Sequence, residues 1–296
     1  MMLINSVNHS VSILALLVLA LTGCSGPAIR INSQTRIPDS ELAIVSGSTN
    51  RILTSFQMLH ALPKAKVTVE DPVYGKLKRY EGFWLEDVLK LAGFGLPDEN
   101  RSEDLQLRAN VLIFSALDGY QARLSRLPKP HAKPLLAVRD LDQITGWEII
   151  THGKERLTPG PFYLVWQTAP RLKAAELPWP YQIERIELRN SADSERQLLP
   201  RGIDARPDVL RGFELFKKSC VSCHSINLEG GVLGPELNVP KNITDYRDWA
   251  YLIQFIKDPS SFRARSKMPA FKNTLSDQAI EDVLNYFKWM RDHSIG

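Results

Sequence analysis

The stretch Cys220-Val221-Ser222-Cys223-His224 decides how the C-terminal third of this chain is interpreted. Two cysteines separated by two residues can form a redox disulfide or half of a zinc site, and an adjacent histidine makes them a c-type haem attachment motif. The flanking sequence has no βαβ pattern of a thioredoxin-like protein, and no second Cys/His pair completes a zinc tetrahedron. We therefore predict that Cys220 and Cys223 bind one haem c covalently and that His224 is its proximal iron ligand.

The sequence around this motif is typical of short helices. The first begins at Pro207 and ends near Ser219, the second stops at Pro259, and the third is capped by Ser276. Apolar residues at helical spacing define the faces of the second and third helices. These residues are Trp249, Ile253 and Ile256, and Ile280, Val283, Leu284 and Phe287.

This part of the chain, over about residues 207–294, resembles class I cytochrome c. Gly212 and Phe216 match the first helix of that family, which implies packing against an aromatic residue of the last helix, here Tyr286. Gly234-Pro235 matches the segment whose proline carbonyl accepts a hydrogen bond from Nδ1–H of the proximal histidine. Such a bond fixes the histidine tautomer and raises the basicity of the ligand.

The second axial ligand is predicted from the stretch Lys267-Met268-Pro269-Ala270-Phe271, which matches the family's distal methionine loop. A methionine within a helical stripe is usually core filler, and Met290 is interpreted in that way. Met268 is instead followed by proline between two helices, so it is the predicted ligand. His/Met ligation fills both axial positions, which the resemblance links to electron transfer rather than oxygen or peroxide chemistry, and thioether sulfur raises the reduction potential.

Basic residues surround both ligand segments. Lys217 and Lys218 precede the haem cysteines, and four more flank Met268. The family fold places both segments near the exposed haem edge, so we predict that the four form a docking surface for a redox partner with an acidic face. The alternative is a solvated surface without a partner. This basic rim consists of Arg263, Arg265, Lys267 and Lys272.

Length and composition restrict what the rest of the chain can be. A chain of 296 residues has room for two domains, and 44% hydrophobic with 24% charged residues is typical of a folded soluble protein. The net charge of +4 is too small to argue for nucleic acid binding. No GxGxxG or P-loop pattern occurs, so no nucleotide site is predicted.

The N-terminus has the features of an export signal. Val11 to Leu21 is apolar apart from Ser12 and, at 11 residues, is shorter than the roughly 20 residues that a membrane span requires. The following Leu21-Thr22-Gly23-Cys24 resembles the bacterial lipoprotein signal, although no Lys or Arg precedes Cys24. The resemblance implies lipidation of Cys24 and attachment to the periplasmic side of a bacterial membrane, inner or outer; the alternative is a plain secretory signal.

Between these two regions the sequence predicts a β-rich domain. One helix interrupts the strands, with Trp84, Leu85, Val88, Leu89 and Ala92 on one face and Gly93 at its end. His60, His131 and His152 have no metal-binding spacing, and Asp118-Gly119 is first of all a turn. The predicted strands are Leu42–Val45, Lys66–Val69, Val111–Ser115, Leu135–Val138 and Phe162–Trp166.

Residues 81–188 resemble the molybdopterin-binding domain of the sulfite oxidase family. That family holds molybdenum through a cysteine thiolate, and this domain contains no cysteine. The missing ligand argues against molybdopterin, so the resemblance implies a fold without its activity. The stretches that carry it are Glu81 to Leu89, Ser115 to Tyr120, Leu135 to Asp140, Gly153 to Trp166, and Trp179 to Leu188.

The predicted organisation is α+β with two domains, a β-rich sulfite-oxidase-like domain and an all-α class I cytochrome c domain. Its function is predicted to be single-electron transfer by an anchored monohaem cytochrome whose N-terminal domain docks a partner or positions the haem. The alternatives are a sulfite-dehydrogenase-like molybdenum enzyme, or a subunit of one, and a ligand-binding module that uses the haem as a redox sensor. The segments are a signal peptide 1–23, a tether 24–40, the β-rich domain 41–188, a linker 189–206 and the cytochrome c domain 207–296.

Overall fold

Two β-sheets make up most of the N-terminal part of this computed structural model. Their strands carry alternating or continuous apolar residues, and one face of each sheet is buried. The described residues are 39–94, 110–125, 131–144, 146–152, 155–169, 177–200, 202 and 205–293.

The first sheet has five strands in the order β2-β1-β11-β5-β6. β1 and β11 run parallel, and the other neighbours are antiparallel. The turn between β5 and β6, residues 117–120, lies at one end of this sheet and is important for the site described below. The strands are β1 (Glu41–Ser46), β2 (Thr49–Thr54), β5 (Asn110–Ala116), β6 (Gln121–Leu124) and β11 (Ile183–Asn190).

The second sheet has four antiparallel strands in the order β10-β7-β4-β3, and a separate hairpin joins β8 to β9. The two sheets share one apolar core, which includes Leu42, Phe114, Leu136 and Trp166. The strands are β3 (Ala65–Asp71), β4 (Lys76–Trp84), β7 (Ala132–Asp140), β8 (Ile150–His152), β9 (Glu155–Leu157) and β10 (Tyr163–Thr168). All five predicted strands are confirmed, each within one observed strand or overlapping it.

Within the described residues, two helices rather than the one predicted interrupt the strands. The predicted helix is confirmed as α2 (Leu85–Leu91), with Gly93 at its end. The other, α1 (Ser55–Ala61), is too short to show an apolar stripe. Its sequence signal is the capping box in which Thr54 and Gln57 satisfy each other's backbone N–H groups.

A charged cluster is buried between β3, β4 and β7. Nζ of Lys78 lies 2.7 Å from Oδ2 of Asp140 and 2.8 Å from Oε2 of Glu148. Asp71 accepts hydrogen bonds from the hydroxyl groups of Tyr80 and Tyr163. Because every one of these buried charges has a partner, the cluster ties the strands together without a ligand.

The C-terminal part is helical, and the three predicted helices are confirmed. They are α4 (Pro207–Ser219), α5 (Trp249–Lys257) and α7 (Asp277–Asp292), with Ser276 as the N-cap of α7. A further short helix, α6 (Pro259–Phe262), follows α5 directly. A small hairpin of β12 (Ser225–Ile226) and β13 (Glu229–Gly230) follows the cysteine motif.

Helices α4 and α7 cross at Gly212, as the sequence predicts. A Cβ atom at this position would overlap the backbone carbonyl of Asp282, so only glycine permits the close approach. The ring centroid of Phe216 lies 5.6 Å from that of Tyr286. The predicted packing of Gly212 and Phe216 against Tyr286 is therefore confirmed.

The stretch 189–206, expected to be an irregular linker, has regular structure at its start. β11 continues to Asn190, and α3 (Ser191–Arg196) follows with Asn190 as its N-cap. Leu198 is buried in the core of the C-terminal helices, and its carbonyl accepts a hydrogen bond of 2.6 Å from the Tyr286 hydroxyl. The connection is thus packed against the helical region.

None of the helices in the described part of the chain combines the length and apolar character needed to cross a bilayer.

Candidate haem-binding site

The end of α4 brings the three residues of the cysteine motif into one turn. The backbone N–H of Cys220 donates to the carbonyl of Phe216, which ends the helix. The N–H groups of Cys223 and His224 both donate to the Cys220 carbonyl, at 3.0 and 2.9 Å. This turn keeps two sulfur atoms and one imidazole on a single short segment, as attachment of one haem requires.

The imidazole of His224 is fixed by two contacts. Its Nδ1 lies 2.8 Å from the carbonyl oxygen of Pro235, so Nδ1–H donates and Nε2 keeps its lone pair for a metal. A Cβ atom at Gly234 would overlap the imidazole ring, so glycine is required at this close approach. Burial lowers the pKa of His224 below its usual value, and the ring is therefore neutral, the form that ligates iron.

The two cysteines are unpaired and lie in surroundings that disfavour charge. Burial raises the pKa of the Cys220 thiol to about 12. Burial and, to a smaller extent, the negative charge of Asp118 raise the pKa of Cys223. An uncharged thioether suits such positions better than a thiolate ligand of zinc, so the donor set fits a covalently bound haem.

Met268 lies in the loop between α6 and α7, not in a helical stripe. It is half-buried, and its backbone N–H donates to Oγ of Ser266. The loop returns to the end of α5, where Phe271 N–H donates to the Ile256 carbonyl. Met290, in contrast, lies on α7 and is buried in the core, as expected of core filler.

Comparison with protein families gives a match to this region. The matching family is described as Cytochrome C oxidase, cbb3-type, subunit III, and the match covers residues 207–287. The helical C-terminal region matches a cytochrome c domain. This match includes the cysteine motif and Met268, and it implies haem c binding. No curated protein matches the chain significantly.

The basic rim of the cytochrome c domain is partly neutralised within the chain. Nζ of Lys267 lies 3.5 Å from Oε2 of Glu155, which belongs to β9 of the N-terminal part. Nζ of Lys272 lies 2.8 Å from Oδ2 of Asp258. The Arg263 guanidinium lies 5.5 Å from the ring centroid of Phe255, and Arg265 is exposed. The structure therefore places all four predicted residues around the Met268 loop, with two of them in ion pairs.

The attachment segment (residues 220–233), which contains the cysteine motif, contacts the β5–β6 turn directly. The Gln121 N–H donates to the Ser222 carbonyl at 2.8 Å, and the Val232 N–H donates to the Gly119 carbonyl at 2.9 Å. The sequence indicates the turn itself but not these contacts, because residues a hundred positions apart carry no local signal of pairing.

A second set of contacts is centred on Glu229 in β13. Its carboxylate accepts hydrogen bonds from Arg123, Arg189 and Ser194, all in the N-terminal part. Glu229 is only 8% exposed and Arg123 16%, so the ion pair is largely shielded from water. None of these residues belongs to the predicted site. Cys24, the predicted lipidation site, lies outside the described residues.

Proposed function

We propose that this protein is a membrane-anchored monohaem c-type cytochrome that transfers single electrons in a periplasmic redox chain. The observation that carries the proposal is the neutral His224 imidazole, held by the Pro235 carbonyl, within one turn of two half-buried cysteines in a region that matches a cytochrome c domain. When bound, haem c supplies a one-electron iron couple.

The residues of the chain hold that group and leave it no open coordination position. Cys220 and Cys223 would attach it covalently, and His224 would bind the iron through Nε2. Pro235 keeps Nδ1 protonated and the ring oriented. Met268 would fill the distal position from its loop. With His224 and Met268 both bound to it, the iron would have no free position for small oxidants, so the chemistry that this site supports is electron transfer.

The N-terminal domain, with its sulfite-oxidase-like sequence pattern, serves in this proposal as a docking or positioning module without a molybdenum centre. Residues 25–205 contain no cysteine, and each charge of the buried Lys78 cluster is already paired within the protein. The alternative, a sulfite-dehydrogenase-like enzyme or a subunit of one, requires a metal ligand of another type.

A cofactor inventory of the purified protein tests this assignment. We expect about one iron per chain, a visible spectrum accounted for by haem c alone, and no stoichiometric molybdenum. Sulfite added to the oxidised protein should leave the haem oxidised. Stoichiometric molybdenum or rapid reduction of the haem by sulfite would contradict the carrier assignment and favour the enzyme.

The anchor is proposed to be a lipidated Cys24, on the basis of the Leu21-Thr22-Gly23-Cys24 sequence after the apolar run. We expect the wild-type protein to require detergent for release from membranes. The Cys24→Ser variant should stay unlipidated and uncleaved by the lipoprotein peptidase. Wild-type mature protein that is fully soluble without detergent would exclude the anchor.

The redox partner is proposed to dock at the basic rim through an acidic face. Arg263 and Arg265 are its best test, since both are exposed in the segment before Met268. Reversing both charges to Glu should slow electron transfer with the native partner at low salt by about tenfold, because opposite charges steer encounters over a Debye length of about 8–10 Å. A rate that is unchanged, with no salt dependence, would indicate a merely solvated surface.

A further inference from the structure

One end of the N-terminal sheets lies against both loops that carry the axial ligands. On the proximal side, the β5–β6 turn is fixed to the attachment segment by the bonds from Gln121 to Ser222 and from Val232 to Gly119. Gly119 has a φ of +89°, and a Cβ atom there would meet Val232 and Leu233. The turn therefore sits as close to this segment as two backbones allow.

On the distal side, the β8–β9 hairpin reaches the Met268 loop. Glu155 forms the ion pair with Lys267, the residue directly before the methionine. Tyr181 connects the two sides, because the charges of Asp118 and Glu155 both act on its hydroxyl and help to raise its pKa, after the larger effect of burial. Asp118 thus lies in the turn beside the proximal segment, and Glu155 lies beside the distal loop.

We propose that this end of the N-terminal domain is an acidic cover over the haem edge, and that Asp118 and Glu155 act as positioning residues that lower the reduction potential of the haem. The inference rests on the proposed function, since it requires a haem between the two loops. It also changes the role of the basic rim: Lys267 already has its acidic partner within the chain, so a separate protein would dock around Arg263 and Arg265.

The physical reason is the charge of the iron. Oxidation adds one positive charge to the haem, and a fixed negative charge nearby stabilises the oxidised form. The two carboxylates are exposed, so water and salt weaken the effect. The β5–β6 turn holds Asp118 in place, and the β8–β9 hairpin with its ion pair to Lys267 holds Glu155 in place. Asp118 is further fixed by its own turn, in which Oδ1 accepts from the Tyr120 N–H at 3.0 Å.

The test uses variants that remove charge and keep shape. Asp118→Asn retains an oxygen that can accept from Tyr120 N–H, and Glu155→Gln retains a polar contact with Lys267. At a fixed ambient potential we expect the ferrous-to-ferric ratio to rise about threefold in each variant and about tenfold in the double variant. A tenfold change corresponds to 59 mV for a one-electron couple. The effect should shrink as salt is added.

Two controls separate this effect from others. Glu70→Gln removes the same charge from an exposed position on β3, and we expect no change in the ratio. Lys267→Gln removes the opposite charge beside Met268, and we expect the ratio to fall. If Asp118→Asn does not fold, the ratio measured for Glu155→Gln alone tests the proposal, because Glu155 lies on an exposed hairpin where the substitution should not prevent folding.

The outcomes distinguish this inference from the proposed function. A double variant with a normal haem c spectrum and an unchanged potential would overturn the cover, and so would an equal shift in Glu70→Gln. A wild-type protein without covalent haem would instead contradict the proposed function itself.

Discussion

Replacing Met268 with alanine should open the distal position of the haem and remove the thioether bond to iron. We expect the thioether-to-iron charge-transfer band in the red region of the oxidised spectrum to disappear and the reduced protein to bind carbon monoxide. The reduction potential should fall by on the order of 0.1–0.2 V, since axial ligands set haem potentials over about 0.8 V. Absorption spectroscopy and redox titration measure all three effects.

Met290→Ala is the matched control. It also removes a methionine thioether, but one that lies on α7 and is buried in the core. It should lower the free energy of unfolding by about 2–5 kcal/mol and leave the charge-transfer band in place. A band that survives Met268→Ala, or is lost in Met290→Ala, would mean that another residue is the distal ligand.

The proximal half of this site was predictable from sequence, because attachment of a haem requires residues that are close together in the chain. The spacing of Cys220, Cys223 and His224 matches what attachment of one porphyrin requires, and the structure has these residues in one turn at the end of α4. Pro235 was predictable through the family resemblance alone. The structure then shows its carbonyl 2.8 Å from His224 and the overlap that makes Gly234 necessary.

The strands with continuous apolar runs and the long amphipathic helices were predictable for a similar reason, since each carries its own periodic pattern. The short elements were missed. α1 and α3 have six or seven residues, too few for a stripe, and only their capping residues Thr54 and Asn190 indicate where they begin. β11 was missed because charged residues interrupt its buried apolar residues Ile183, Ile186 and Leu188, and because its end runs into the predicted linker.

The contacts between the two parts of the chain could not be predicted. Glu229 has the sequence context of an ordinary surface residue, and Arg123 and Arg189 lie far from it in the chain. Their pairing is important for stability because the charges are shielded from water. That burial results from how the sheets and helices pack together. For the same reason Lys267 was predicted as a docking residue for a partner, although Glu155 of the same chain lies 3.5 Å away.

Glu229→Ala should be among the most destabilising single substitutions at this interface. The Glu229 carboxylate pairs with Arg123 and Arg189 and also accepts from the Ser194 hydroxyl. Removing it leaves the Arg123 guanidinium buried without its anion. Its other acceptors, Oγ of Ser194 and Oε1 of Gln121, are neutral, and within the described residues Nε of Arg123 has no hydrogen-bond partner. Breaking a buried ion pair on one side costs about 3–5 kcal/mol, which denaturant unfolding of the holoprotein would measure.

The isosteric variant and a surface control show where that cost comes from. Glu229→Gln keeps an acceptor for Arg123 but no charge, so its loss should be smaller than that of the alanine variant. Glu184→Ala removes an exposed carboxylate from β11, and we expect a change within about 0.5 kcal/mol. Equal stability of Glu229→Ala and Glu184→Ala would show that the two parts of the chain do not depend on this contact. A large loss in Glu229→Ala alone would show that this contact between the β12–β13 hairpin and the N-terminal part stabilises the folded chain.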